Sequence, residues 1–88
     1  MASYSVRIKK SALKELEQVP AKADRRRIIS RIESLAENPR PAGSIKLSGR
    51  ERYRIRQGRY RILCTIEDRQ LVGYVIKVSD RKDVYRSS

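Results

Sequence analysis

Arg52-Tyr53-Arg54-Ile55-Arg56-Gln57-Gly58-Arg59-Tyr60-Arg61-Ile62-Leu63 is the stretch that decides the fold. Both arms alternate charged and apolar residues with a period of two, the pattern of a strand with one buried face. With Gln57-Gly58 as a two-residue turn, Arg56 faces Arg59, Arg54 faces Arg61 and Arg52 sits opposite Leu63. On the other side Ile55 meets Tyr60 and Tyr53 meets Ile62. Aliphatic and aromatic side chains thus share one face and arginines the other, and a slip by one residue would exchange the faces and bury guanidinium groups. Like charges directly opposite one another cost about 0.2–1 kcal/mol per pair. The arginine side is therefore either the solvated surface of a very basic protein or a surface that a polyanion neutralises. The planar guanidinium fork suits phosphate, which favours the second reading.

Working outward, the chain of 88 residues holds 22 Lys and Arg against 10 Asp and Glu, a formal net charge of +12, with no histidine. That length predicts a single domain over residues 1–88 with a modest core. The charge speaks to partners and points to nucleic acid, an acidic protein, or both. No apolar run approaches the roughly 20 residues that span a bilayer, and the start Met1-Ala2-Ser3-Tyr4-Ser5-Val6 lacks the regions of a signal peptide. A cytoplasmic protein without membrane attachment is expected. Cys64 is the only cysteine, so no internal disulfide or thiolate–imidazole zinc site can form. It reads as a buried small hydrophobe. Without imidazole the commonest general base is missing, and no metal or cofactor is expected.

Before the hairpin, Tyr4, Val6 and Ile8 alternate with Ser5, Arg7 and Lys9 as a first strand. Ser11 is placed to cap a short helix whose stripe is Leu13, Leu16 and Val19, and Pro20 ends it. A second helix is expected from Ala21 to Glu37 with Ile28, Ile29, Ile32, Leu35 and Ala36 on its core side, closed by Asn38-Pro39-Arg40-Pro41. Arg25, Arg26, Arg27 and Arg31 on its outer side serve either as a further nucleic-acid contact or as a solvated face with Glu33 and Glu37 as partners. Ile45–Leu47 is a candidate brief strand. After the hairpin, Glu67-Asp68-Arg69-Gln70 is the next turn. Leu71–Val78 has the continuous apolar character of a central strand, with Gly73 marking a close approach or a bulge. The fold class is α+β: a small, mainly antiparallel sheet with an N-terminal helical hairpin on one face and an open basic face opposite, a surface on which an RNA strand can lie.

Over essentially its whole length this order resembles the RelE/ParE superfamily of type II toxin-antitoxin toxins, and its ending looks more like the RelE branch. The residues that carry the resemblance are the first strand and helix hairpin ending in Asn38-Pro39, then Leu47-Ser48-Gly49-Arg50-Glu51-Arg52-Tyr53-Arg54-Ile55-Arg56, Gly58-Arg59-Tyr60-Arg61-Ile62-Leu63, and Val78-Ser79-Asp80-Arg81-Lys82-Asp83-Val84-Tyr85-Arg86. The resemblance implies a RelE-like, microbial ribonuclease-like fold and a ribosome-dependent endoribonuclease that cuts messenger RNA in the A site and is restrained by a cognate antitoxin. On matching positions it implies a basic cluster of Arg54, Arg56 and Arg61 with Arg81 and Tyr85 in the tail. In this chain arginine stands at 54 and 56 where relatives often carry lysine, and Asp80 stands beside Arg81, where it can pair with it.

The chemistry has its own argument. RNA carries a nucleophile in its 2′-hydroxyl, so aligning it with the adjacent phosphate and neutralising the developing charge suffices without a metal or covalent intermediate. The candidate catalytic residues are Arg61 and Arg81 as a phosphate clamp and Tyr85. The candidate RNA contacts are Arg52, Arg54, Arg56, Arg59 and Arg86. Tyr85 acts as base or acid if guanidinium groups lower its pKa, stacks on a base, or packs the tail onto the sheet. The expected partners are the ribosome, messenger RNA and a RelB-like antitoxin whose acidic amphipathic segment covers the arginine face, displaces the tail or adds to a sheet edge, in a hetero-oligomer. Two rival readings remain, a ParE-like inhibitor of gyrase without nuclease activity and a plain basic nucleic-acid-binding module.

Overall fold

The computed structural model describes residues 3–47 and 52–80. Seven elements follow one another: β1 (Ser5–Ile8), α1 (Lys10–Glu17), α2 (Lys22–Ser34), β2 (Ile45–Leu47), β3 (Arg52–Gln57), β4 (Tyr60–Glu67) and β5 (Val72–Asp80). The five strands form one sheet in the order β1-β5-β4-β3-β2. Only β1 and β5 run parallel, and the other neighbours are antiparallel. This is the expected α+β architecture.

The hairpin keeps its two faces, but its turn lies one residue further on. Gln57 pairs with Tyr60, Arg56 with Arg61, Ile55 with Ile62, Arg54 with Leu63, Tyr53 with Cys64 and Arg52 with Thr65. Gly58 and Arg59 are the turn residues, and Gly58 alone of the two has positive φ, at 59°. A two-residue hairpin loop with glycine first has the twist that matches the strands. Starting the turn at Gln57 would put glycine second and leave a glutamine to take the first position. The resulting shift moves each pairing by two residues, so every side chain that remains in the two strands stays on its own face. Neither of the two like-charge pairs expected forms: Arg54 faces Leu63, Arg59 leaves the ladder, and a single new pair, Arg56 opposite Arg61, replaces them.

The core lies between the helices and one face of the sheet. Ala12, Leu16 and Val19 from α1 and its end, and Ile28, Ile32 and Leu35 from α2, meet Ile55, Tyr60, Ile62, Cys64, Val75 and Val78. Each helix contributes residues at i, i+4 and i+7, a narrow stripe. Leu13 and Ile29, expected inward, fall outside it and are each 43% exposed. Cys64 is buried as expected at 2% exposure, and desolvation pushes its thiol up to about 12.

Strand pairing rather than a side-chain cap sets the start of α1. The Lys9 N–H donates to the Val75 carbonyl at 2.9 Å, and the Leu13 N–H donates to the Lys9 carbonyl at 2.9 Å. The chain thus leaves the sheet and enters the helix at one residue, with Lys9 at the N-cap and Ser11 inside the helix. The second helix is shorter than expected, and the N–H groups of Leu35, Ala36 and Glu37 turn back to the Ile32, Glu33 and Ser34 carbonyls. Gly73 marks neither a close approach nor a bulge: nothing lies within 4 Å of the position its Cβ would take. The irregularity is opposite Leu63 and Cys64, which pair with Lys77 and Val75 and leave Ile76 as the extra residue.

Candidate nucleic-acid interface

On the face away from the helices the register lines side chains up in rows across the strands. Arg56, Arg61 and Ser79 form one row, and Ile45, Arg54, Leu63 and Lys77 the next. A third consists of Leu47, Arg52, Thr65, Tyr74 and Arg7, and a fourth of Glu67, Val72 and Ser5. Cations occupy the first three rows and an acid stands only in the fourth.

The arginines of this face differ from those elsewhere in what they touch. Among the described residues no carboxylate lies within ion-pair distance of Arg52, Arg54, Arg56 or Arg61. A cluster of guanidinium groups on one sheet face, one pair directly opposed, raises the local positive potential, and an external anion relieves it.

Beside these rows lies a groove of about 650 Å³, lined by Leu47, Arg54, Arg61, Leu63 and Ser79 of the sheet and by Glu15, Gln18 and Pro20 of α1 and the segment after it. Asp80, the last described residue of β5, also lines it. The two carboxylates in its wall are both engaged. Glu15 accepts from the Val78 N–H at 3.0 Å and from Lys77 Nζ at 3.1 Å. Asp80 Oδ2 accepts from Arg59 Nη2 at 2.7 Å, which raises the Arg59 pKa further. The Asp80 carboxylate meets Arg59 because the turn at Gly58-Arg59 delivers that side chain to the end of β5, while its expected pairing with Arg81 lies outside the described residues. Arg59, proposed from sequence as an RNA contact, is thereby drawn into an intramolecular pair and lies over the Tyr60 ring at 5.8 Å.

Of the residues singled out from sequence, the structure brings Arg52, Arg54, Arg56 and Arg61 together on the open face and puts Arg59 at the hairpin tip. Arg81, Tyr85 and Arg86 lie outside the described residues. On α2, Arg27 pairs loosely with Asp24 at 3.8 Å and Arg25 donates to the Glu17 carbonyl at 3.4 Å, in place of the expected Glu33 and Glu37, while Arg31 Nε is buried without a hydrogen-bond partner among the described residues. Cys64, buried with its thiol protonated, offers no nucleophile.

A second polar cluster, not expected from the sequence, closes the other end of the sheet. Arg40 donates through Nη1 and Nη2 to Asp68 Oδ1 and Oδ2 at 3.1 and 2.8 Å, and through Nε to the Tyr53 hydroxyl at 2.9 Å. Its guanidinium also lies 4.9 Å from the Tyr53 ring centre. The Tyr4 hydroxyl donates to Asp68 Oδ1 at 2.6 Å. The Arg40 guanidinium, then the Tyr4 hydroxyl, hold the Asp68 carboxyl below its ordinary range. The hydrogen bond to Asp68 in turn raises the Tyr4 phenol. The sequence signal was faint: an arginine between two prolines and an aspartate in a turn 28 residues later.

No helix among the described residues is long and apolar enough to cross a membrane. Residues 6–85 match the family model described as the ParE toxin of type II toxin-antitoxin system, parDE. No curated protein matches significantly. Among solved structures, a chain of the archaeal RelE-RelB complex from Pyrococcus horikoshii OT3 superposes with a TM-score of 0.77 at 28% identity, covering 90% of this chain and 96% of that one. A chain of the RelB-RelE antitoxin-toxin complex from Methanococcus jannaschii gives 0.72 at 28%, covering 91% and 95%. A mutant of the E. coli toxin RelE in complex with an antitoxin RelBc peptide gives 0.73 at 28%, covering 99% and 94%.

Proposed function

The chain belongs to the ParE toxin family of type II toxin-antitoxin systems, on the RelE-like branch of the RelE/ParE superfamily, and from that premise we propose that it is a ribosome-dependent, metal-independent endoribonuclease that cuts messenger RNA in the A site. The observation that carries this reading is the set of arginines at 52, 54, 56 and 61, aligned on one open face with no carboxylate partner among the described residues.

In the reaction the 2′-oxygen of the RNA attacks the adjacent phosphorus. The bond to the 5′-oxygen of the next nucleotide breaks, leaving a cyclic phosphate and a 5′-hydroxyl. The 2′-hydroxyl gives up a proton and the leaving oxygen gains one. Arg61 and Arg81 clamp the phosphate as negative charge builds on its oxygens, while Arg54 and Arg56 hold the backbone on either side. Arg52 and Arg86 add phosphate contacts further out, and Arg59 contributes only when RNA competes with Asp80. Arginine, with its high pKa, is unsuited to take the proton. Glu15 and Asp80 are already bonded, and Tyr85, the residue that the resemblance implies, takes part in the proton transfer. Such a site supplies charge and little positioning, so the decoding centre supplies the alignment and free RNA is a poor substrate.

The partner in restraint is a RelB-like antitoxin whose acidic amphipathic segment covers the arginine face, in a hetero-oligomer. The RelE structures solved with RelB chains or a RelBc peptide support this. The match to a ParE family model favours a second reading, a gyrase inhibitor that does not cut RNA.

Primer extension on programmed ribosomes separates the two. The unaltered chain is expected to produce A-site cuts that depend on the ribosome, and Arg81→Ala and Tyr85→Ala are expected to abolish them. Growth arrest without cuts, undiminished in Tyr85→Ala, would overturn the nuclease reading in favour of gyrase.

A further inference from the structure

Tyr74 stands apart from the other aromatic residues of the sheet. Tyr53 and Tyr60 are buried, whereas Tyr74 is 38% exposed on the open face. Its two cross-strand neighbours are Arg7 on β1 and Thr65 on β4, and Arg52 follows Thr65 on β3. An aromatic ring at the surface between two arginines, with only a small hydroxyl side chain intervening, offers a flat apolar plane with cations at both sides. Arg7 has no carboxylate within ion-pair distance among the described residues, and neither has Arg52.

From this row we infer that Tyr74 is a stacking platform for an unpaired base of single-stranded RNA, with Arg7 and Arg52 holding the phosphates that flank that base. The inference rests on the reading that the open arginine face carries RNA, and it extends that path to β1 and β5. Four residues of strand separate this row from the Arg56–Arg61 row along β3 and β4, roughly 13 Å at ~3.3 Å per residue. The stacked base is thus a few nucleotides from the phosphate that Arg61 engages. The path ends there, because the next row carries Glu67. Stacking on a phenol ring is indifferent to base identity, since every base has a π-face, so the platform anchors the strand without adding sequence preference. An acidic protein segment on the same row would use the arginines and leave the ring without a planar partner, so the row fits RNA better.

The test is the binding of a labelled single-stranded 12-mer RNA at low salt, followed by fluorescence anisotropy, against the same backbone carrying abasic riboses. Tyr74→Ala is expected to weaken binding to the normal RNA about tenfold, a typical loss for one stacked base. Tyr74→Phe should stay within about twofold. On the abasic RNA the Tyr74→Ala deficit should vanish. Tyr74→Ala should leave the salt dependence unchanged, whereas Arg7→Ala should reduce its slope by about one phosphate contact. A Tyr74→Ala deficit of equal size on the abasic RNA, or no deficit at all while Arg61→Ala binds weakly, would overturn the platform and leave the arginine path standing. If Arg61→Ala and Tyr74→Ala both bind as the unaltered chain does, the arginine path falls and the platform falls with it.

Discussion

Arginine has two opposite employments at the two ends of one sheet. At the end where β4 turns into β5, Arg40 spends its donors on Asp68 and Tyr53 and lies over the Tyr53 ring. Toward the hairpin tip Arg54, Arg56 and Arg61 have no carboxylate within reach among the described residues. The first end shows the residue as a clasp, supplied with anions by the chain itself. The second shows it with its anions withheld, which leaves the charge available to something else. The same side chain is therefore tied down where the chain supplies its anion and stays open to an outside anion where the chain supplies none.

The largest expected effect breaks the comparison most directly. Arg61→Ala should reduce A-site cleavage by about a hundredfold or more, as removal of a transition-state charge contact does, while its melting temperature stays within about 2 °C of the unaltered chain. Arg40→Ala should do the reverse, lowering the melting temperature by on the order of 5 °C and leaving the cleavage of intact ribosome complexes at permissive temperature nearly unchanged. Loss of cleavage in Arg40→Ala at a temperature where it is fully folded would erase the division between the two ends.

A pH series sharpens the same contrast. The Asp68 carboxyl titrates below its ordinary range in the folded chain. Its contribution to stability is therefore present above the unfolded carboxylate pKa of about 4 and is lost as pH falls through the lower folded value. Urea midpoints measured at pH 6 and pH 3 should show a smaller acid loss in Asp68→Asn than in the unaltered chain. An equal acid loss in both would mean that the clasp contributes nothing on this limb.

The smallest effect concerns the strand that joins the ends. Gly73 has room for a Cβ and an unexceptional φ, so Gly73→Ala should stabilise the chain by about 0.5–1 kcal/mol through reduced backbone freedom in the unfolded state. Denaturant unfolding measures it, and a lower midpoint would show that β5 needs the glycine for a reason its surroundings do not reveal.

Much of this was legible in the residues. The alternation in Arg52–Leu63 assigned the side chains of both strands to the correct face even though the turn was placed one residue early, because a shift of two in the pairing preserves parity; Arg59, which the turn takes out of the ladder, is the exception. The turn itself depended on the handedness that Gly58 permits, which alternation does not encode. Leu13 and Ile29 were misassigned for a related reason: hydrophobicity marks a broad helical stripe, and only the packing of Ala12 and Ile28 against the sheet decides which edge of it is covered. The arginine face of the candidate site was readable as pattern. The clasp of Arg40 and the bonding of Glu15 and Asp80 were not, because their partners in the chain lie far off in sequence or in a turn whose position was uncertain.

Glu15 has a consequence of a different kind. Strand β1 ends its pairing at Ile8 opposite Val75, yet β5 continues to Asp80. Among the described residues no strand pairs with the outer backbone of that overhang, which makes it the kind of edge on which one copy of a protein zips onto another and begins to aggregate. By accepting the Val78 N–H, the Glu15 carboxylate occupies a donor that an incoming strand would need, and it places a charge where that strand would have to settle. A helix thereby guards a sheet against its own kind, and a strand can run past its neighbour to reach the groove without becoming sticky.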